Sequence, residues 1–188
     1  MKKNLLIWGI ALILIVVAIF VTNGYTKETA KTNPQDSSQN KISVAIDVSK
    51  GEEAMNFTLT DLEGNKVSLK DFRGKNVYLN FWATWCPPCR SEMPEIEKVY
   101  QQYKDKGLVV LAVDLGEDKD TVKNFIKDNK YNFRVLLDSD QSVASKYNIS
   151  SIPVSYFIGK DGKIVAKKVG ALQEEEMQSY IKELMDSK

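Results

Sequence analysis

The only cysteines of the chain, Cys86 and Cys89, lie in "YLNFWATWCPPCRSEMPEIE", residues 78–97, with two prolines between them. Paired thiols at this spacing can serve as a redox couple, as half of a metal site or as a stapling disulfide. On a helix, an i,i+3 spacing puts both sulfurs on one face, near enough to close a bridge. A bridge around so small a loop removes little entropy from the unfolded chain, so it would be a feeble staple. The 188-residue chain contains no histidine. That excludes Ser-His-Asp and Cys-His catalysis. With only two thiols it also argues against a tetrahedral zinc site or a metal-delivery module. Dithiol–disulfide exchange is the chemistry these residues favour over a staple or a metal-delivery module.

The flanking segments say how the pair is held. "NVYLNFWA" is β-rich and apolar without clean alternation, as for a strand buried on both faces. After the cysteines, apolar residues at 96, 99, 100 and 103 make a helical stripe ended by Gly107. Cys86 therefore falls at a helix N-terminus, with Pro87 and Pro88 in a first turn that tolerates them. A thiolate there is stabilised by the helix dipole and free N–H groups, lowering its pKa from about 8.5 into the range of about 3.5–7.5. Cys86 is expected to be the more exposed sulfur and the nucleophile, and Cys89 the resolving thiol. The same constellation runs as a reductase or, in reverse, as a disulfide-forming oxidase, depending on its reduction potential. Trp85, adjoining Cys86, is expected to flank the site as an apolar rim. Glu92, taken alone, is more commonly a solvated acid favoured by the helix dipole. Trp82, Tyr100, Tyr103 and Phe125 read as packing residues, and Glu174–Glu176 as a solvated helix start. Pro94 is expected to kink its helix.

Further elements follow from periodicity. "MNFTLTDLEGNKVSL" reads as a hairpin turning at Glu63-Gly64-Asn65. "LVVLAVDL" and "RVLLD" read as strands, "DKDTVKNFIKDN" as a helix with Val122, Phe125 and Ile126 inward, and "QSVASKYN" as a short helix. A second hairpin joins "VSYFIG" to "KIVAKKVG", and "QEEEMQSYIKELM" closes the domain as a helix. This order predicts an α/β fold with a mixed central sheet flanked by helices. The cysteines then sit at the C-terminal end of the first central strand, where ligand groups of such folds gather.

Ahead of this domain, Lys2 and Lys3 precede the uncharged apolar run Leu5–Val21. That run suits a bilayer crossing of about 17–25 residues better than a secretory h-region of about 7–15. An uncleaved transmembrane signal-anchor over 1–24 is expected, with its N-terminus cytoplasmic by the positive-inside rule. The exported part then meets an environment in which disulfides persist. Residues 25–50 are polar and read as a flexible linker, with "KISVAIDV" as a candidate short strand. The domain spans 51–188. With 26 Lys and Arg against 25 Asp and Glu, no basic footprint for nucleic acid is present.

"FWATWCPPC", Pro94 and "SIPVSYFI" together resemble the thioredoxin superfamily. The tethered export, the hairpin "NFTLTDLEGNKVSLKDFRGK" and Glu92 within "CRSEMP" resemble more narrowly the ResA/TlpA-like membrane-anchored thiol-disulfide oxidoreductases. The resemblance, over residues 51–188, implies a thioredoxin-like fold with an added N-terminal β-hairpin. It implies no cofactor beyond a redox-active disulfide, and a partly buried Glu92 beneath the dithiol that exchanges protons with Cys89. It also implies a cis Ile152–Pro153 bond opposite the dithiol, with the Ile152 backbone pairing to an extended substrate segment. Substrate contacts are accordingly expected from Trp85, Pro87, Pro88, Ile152 and Pro153. The partners implied are exported disulfide-containing proteins, such as an apocytochrome c or a protein of spore-envelope synthesis. A membrane thiol carrier of the CcdA type is the implied electron donor. Two departures stand out: Asn80 replaces the buried aspartate of cytoplasmic thioredoxins, and Val154-Ser155 replaces a Thr-rich sequence. A thiol peroxidase shares the fold but needs a Pro/Thr/Arg constellation that "NFWATWC" does not supply.

Overall fold

The computed structural model describes residues 50–187. The candidate anchor, the linker before Lys50 and the "KISVAIDV" segment lie outside the described residues. Among the described residues no helix is long and apolar enough to cross a membrane.

In chain order the elements are β1 (Thr58–Asp61), β2 (Lys66–Ser68), β3 (Asn76–Trp82), α1 (Pro87–Tyr103), β4 (Leu108–Leu115) and α2 (Lys119–Asn129). They continue with β5 (Arg134–Asp138), α3 (Ser142–Lys146), β6 (Val154–Ile158), β7 (Ile164–Val169) and α4 (Glu174–Asp186). The seven strands form one sheet in the order β2-β1-β5-β4-β3-β6-β7. β3, β4 and β5 are mutually parallel, joined through α1 and α2. β6 and β7 close the sheet antiparallel beside β3, and the β1–β2 hairpin extends it antiparallel to β5. The hairpin turns where Gly64 takes a φ of +92°. There the Asp61 carboxylate accepts the N–H groups of Glu63 and Asn65 at 3.1 and 2.8 Å.

Strand β3 organises the core because all seven of its residues are buried. Successive side chains point to opposite faces, so Val77, Leu79 and Phe81 join one apolar cluster with Tyr147, Val154 and Tyr156. Tyr78 and Trp82 join the other, beneath Met93 and Ile96 of α1, Val122 of α2 and Ile181 of α4. Asn80 shares that second face and so points towards α1. Phe125 departs from the expected inward stripe: Val122 and Ile126 are buried, whereas Phe125 is half-buried with its ring 5.5 Å from that of Trp82. Tyr100 and Tyr103 are likewise half-buried, packed against the core edge. Helix α1 runs through Pro94, which faces solvent and has no N–H to give Arg90. It ends in a 3-10 turn at Gly107, φ +93°. The first turn of α4 is more than solvated, since Glu174 pairs with Lys98 and Glu176 with Lys168.

Candidate active site

After β3 the chain turns back, the Cys86 N–H donating to the Ala83 carbonyl at 3.3 Å. Cys86 then takes an extended conformation, φ −88° and ψ 107°, as the N-cap of α1. Pro87 and Pro88 occupy the next two positions and carry no N–H, so Cys89 offers the first one. It donates to the Cys86 sulfur at 3.3 Å. The cysteines form a disulfide with their Cα atoms 5.3 Å apart. Cys86 is 3% exposed and Cys89 0%. The expected order holds, yet both residues are nearly buried. Trp85, at 65% exposure, together with Pro87 and Pro88 forms the open rim instead.

Across from the disulfide the Ile152–Pro153 peptide is cis, the isomer implied by the resemblance. The Ile152 carbonyl oxygen lies 3.8 Å from the Cys86 sulfur. In the disulfide that sulfur has no proton and the contact is van der Waals; a Cys86 thiol would have this oxygen as acceptor. Trp85, Cys86, Pro87 and Pro88 form one wall of a groove of about 440 Å³, and Leu115, Gln141, Ile149 and Ile152 the other. Pro153 does not line the groove. It is buried behind Ile152, its carbonyl accepting the Gly170 N–H at 2.8 Å.

Glu92 is 1% exposed, so the reading as a solvated helix acid fails. It lies one turn after Cys89 on the inner side of α1, where i,i+3 neighbours share a face. Its carboxylate accepts from the Asn80 side-chain amide at 2.8 Å and from the Leu172 N–H at 2.9 Å. Burial pushes its pKa up to about 7, and the two hydrogen bonds restrain the rise. A carboxyl tuned there can take or release a proton at neutral pH. Asn80 also donates to the Ser155 hydroxyl at 3.1 Å, which pairs with the Tyr78 hydroxyl at 3.2 Å. Burial, with the Glu92 charge nearby, raises the Tyr78 pKa well above its ordinary value. Asn80 is thus a link in a buried polar row.

Sequence reasoning missed Tyr78, Ser155 and Leu172. Strand alternation places Tyr78 on Asn80's face. Ser155 and Val154, fully or nearly buried, are inward residues rather than substrate contacts. Leu172 acts through its backbone from the loop before α4, and no side-chain pattern announces that.

A disulfide capping the helix after a central strand, opposite a cis-proline loop, defines a thioredoxin-like thiol-disulfide oxidoreductase. Residues 50–167 match the AhpC/TSA family, to which the chain belongs. It is 37% identical over 187 residues to the thiol-disulfide oxidoreductase ResA of Bacillus cereus (strain ATCC 10987 / NRS 248), an alignment covering 98% of this chain and 99% of that one. Against ResA of Bacillus subtilis (strain 168) the identity is 40% over 134 residues, 71% of this chain and 75% of the relative. Among solved structures, a putative thiol:disulfide interchange protein DsbE from Chlorobium tepidum aligns with a TM-score of 0.68 at 31% identity, covering 72% of this chain and 97% of that one. StoA from Bacillus subtilis aligns at 0.60 and 29%, covering 68% and 96%.

Proposed function

We propose that this oxidoreductase is tethered by residues 1–24 to the cytoplasmic membrane and reduces disulfides in exported proteins on the extracytoplasmic side. The Cys86 thiolate attacks one sulfur of a substrate disulfide. The substrate S–S bond breaks, one substrate thiolate leaves, and a Cys86–substrate mixed disulfide forms. Cys89 gives its proton to Glu92 and attacks the Cys86 sulfur, forming the Cys86–Cys89 disulfide and releasing the second substrate sulfur as a thiolate, which takes up a proton from Glu92 or solvent. Two electrons have then passed to the substrate. A membrane thiol carrier of the CcdA type restores the dithiol by the reverse exchange, with no other cofactor. The substrate segment lies extended along Ile152, held in place by the buried Pro153, with Trp85, Pro87 and Pro88 as the opposite rim. The client class is an apocytochrome c or a protein of spore-envelope synthesis.

The observation that carries this reading is Cys86 at the N-cap of α1, its sulfur facing both the Cys89 N–H and the Ile152 carbonyl. Trapping tests it. A Cys89→Ser variant, mixed with a disulfide-containing protein, accumulates a mixed disulfide through Cys86. Accumulation through Cys89 in a Cys86→Ser variant, and none in Cys89→Ser, would reverse the roles.

A further inference from the structure

A carboxyl pair lies at the end of β4, apart from Glu92. Asp114 stands opposite Trp82 in the β3–β4 register and is 0% exposed. Its Oδ1 accepts the Glu117 N–H at 3.3 Å, and its Oδ2 has no hydrogen-bond partner. Beyond the tight turn at Gly116, the half-buried Glu117 reaches across to the loop that follows β3. One of its oxygens accepts the Thr84 N–H and the other the Thr84 hydroxyl, both at 2.6 Å. Thr84 lies inside the Ala83–Cys86 turn, two residues before the attacking sulfur.

We propose that Glu117 is a positioning residue for the disulfide exchange, its carboxylate clamping Thr84 by both donors and so fixing the turn that aims Cys86. Two short bonds to one carboxylate hold both the position and the rotation of the Thr84 peptide. The next two links, the turn closed by the Cys86 N–H and the Cys89 N–H on the Cys86 sulfur, inherit that orientation. Exchange demands alignment of three sulfurs, so a loosened turn slows attack without unmaking the fold. Asp114 supports the clamp from below. Burial, reinforced by the neighbouring Glu117 and then Asp118, pushes its pKa up to about 8. At neutral pH it is therefore an uncharged neighbour to the Glu117 carboxylate. Its ionisation above that pH sets a second negative charge against the clamp.

The inference rests on Cys86 as the attacking sulfur, and the experiment separates the two. Full-length protein labelled with 15N-threonine and held as the disulfide has no thiol to titrate. Its Thr84 amide signal is expected far downfield, moving with a midpoint near pH 8 that Asp114→Asn abolishes. Glu117→Gln is expected to shift that signal upfield and to lower the rate constant for attack on a protein disulfide about tenfold. In the reduced protein it should also shift the pKa read from alkylation of Cys86. Thr84→Val keeps the N–H arm and should give a smaller loss in the same three readouts. A Thr84 amide insensitive to Glu117→Gln overturns the clamp. A shifted amide with unchanged attack rate and Cys86 pKa overturns the positioning role. Failure of the Cys89→Ser trap instead overturns the assignment of Cys86, leaving the amide result to judge the clamp.

Discussion

Glu92→Gln measures what the buried carboxyl costs the fold. A rise from 4.5 to about 7 is worth about 3 kcal/mol, at about 1.4 kcal/mol per pH unit. Between those values the folded protein holds a proton that the unfolded chain has released. Stability contributed by this group therefore falls as pH rises from 4.5 through 7 and stays low above. Asp114, raised from 3.8 to about 8, acts in the same direction, so the wild-type curve alone mixes the two. The difference between Glu92→Gln and wild type isolates Glu92. The glutamine keeps one acceptor, and its amide can donate to the Asn80 Oδ1, buried and without a partner, once the Asn80 amide reverses. At pH 4, where both side chains are neutral, the two proteins should agree within about 1 kcal/mol. At pH 8 the variant should be the more stable by about 3 kcal/mol. Urea denaturation of the disulfide form across this range is the assay. A stability difference that does not change with pH would refute the argument. The same variant should slow resolution of the mixed disulfide and shift the thiol pKa values; if neither changes, Glu92 moves no proton.

Trp85→Ala should lower kcat/KM for a protein disulfide about tenfold while leaving the rate with a small aromatic disulfide within about twofold, because only a protein substrate spans the rim. Asp138→Ala removes the buried carboxylate that accepts the Val143 and Ala144 N–H groups at 3.1 and 2.8 Å, and thermal or urea denaturation should show a loss of about 3 kcal/mol. Gly116→Ala puts a Cβ at 2.6 Å from the Gln141 side-chain nitrogen, on a backbone with φ +79°. It should destabilise by about 1–3 kcal/mol and raise KM for protein substrates, since Gln141 lines the groove.

Elements that announce themselves locally were legible. The cysteine spacing, the prolines of the first helical turn and the Glu63-Gly64-Asn65 turn are near-neighbour patterns, and the strand and helix assignments follow the same logic. Contacts made across long separations were not. Glu92 looks like any acid in a second helical turn until Leu172, 80 residues later, and Asn80 close over it. The cis Ile152–Pro153 bond was expected from the resemblance, but the burial of the Pro153 ring, away from the groove, depends on how β6 enters the sheet. Asp114 and Glu117 carried no signal, because "AVDLGED" reads as a strand end followed by a solvated helix start. Only the parallel pairing of β4 with β3 brings that segment to Thr84. The half-burial of Phe125 has a similar origin: helical periodicity gives a face, and the rings of Trp82 and Tyr131 beside it decide how much of it is covered.

The measurement that bears most directly on the central claim is the reduction potential of the Cys86–Cys89 couple. The full-length protein would be equilibrated in defined thiol buffers and followed by the fluorescence of Trp82 and Trp85. A reductase recharged from the membrane predicts a value near the roughly −270 mV of thioredoxin. A value near the roughly −120 mV of strong oxidants would contradict that account and make the protein a donor of disulfides.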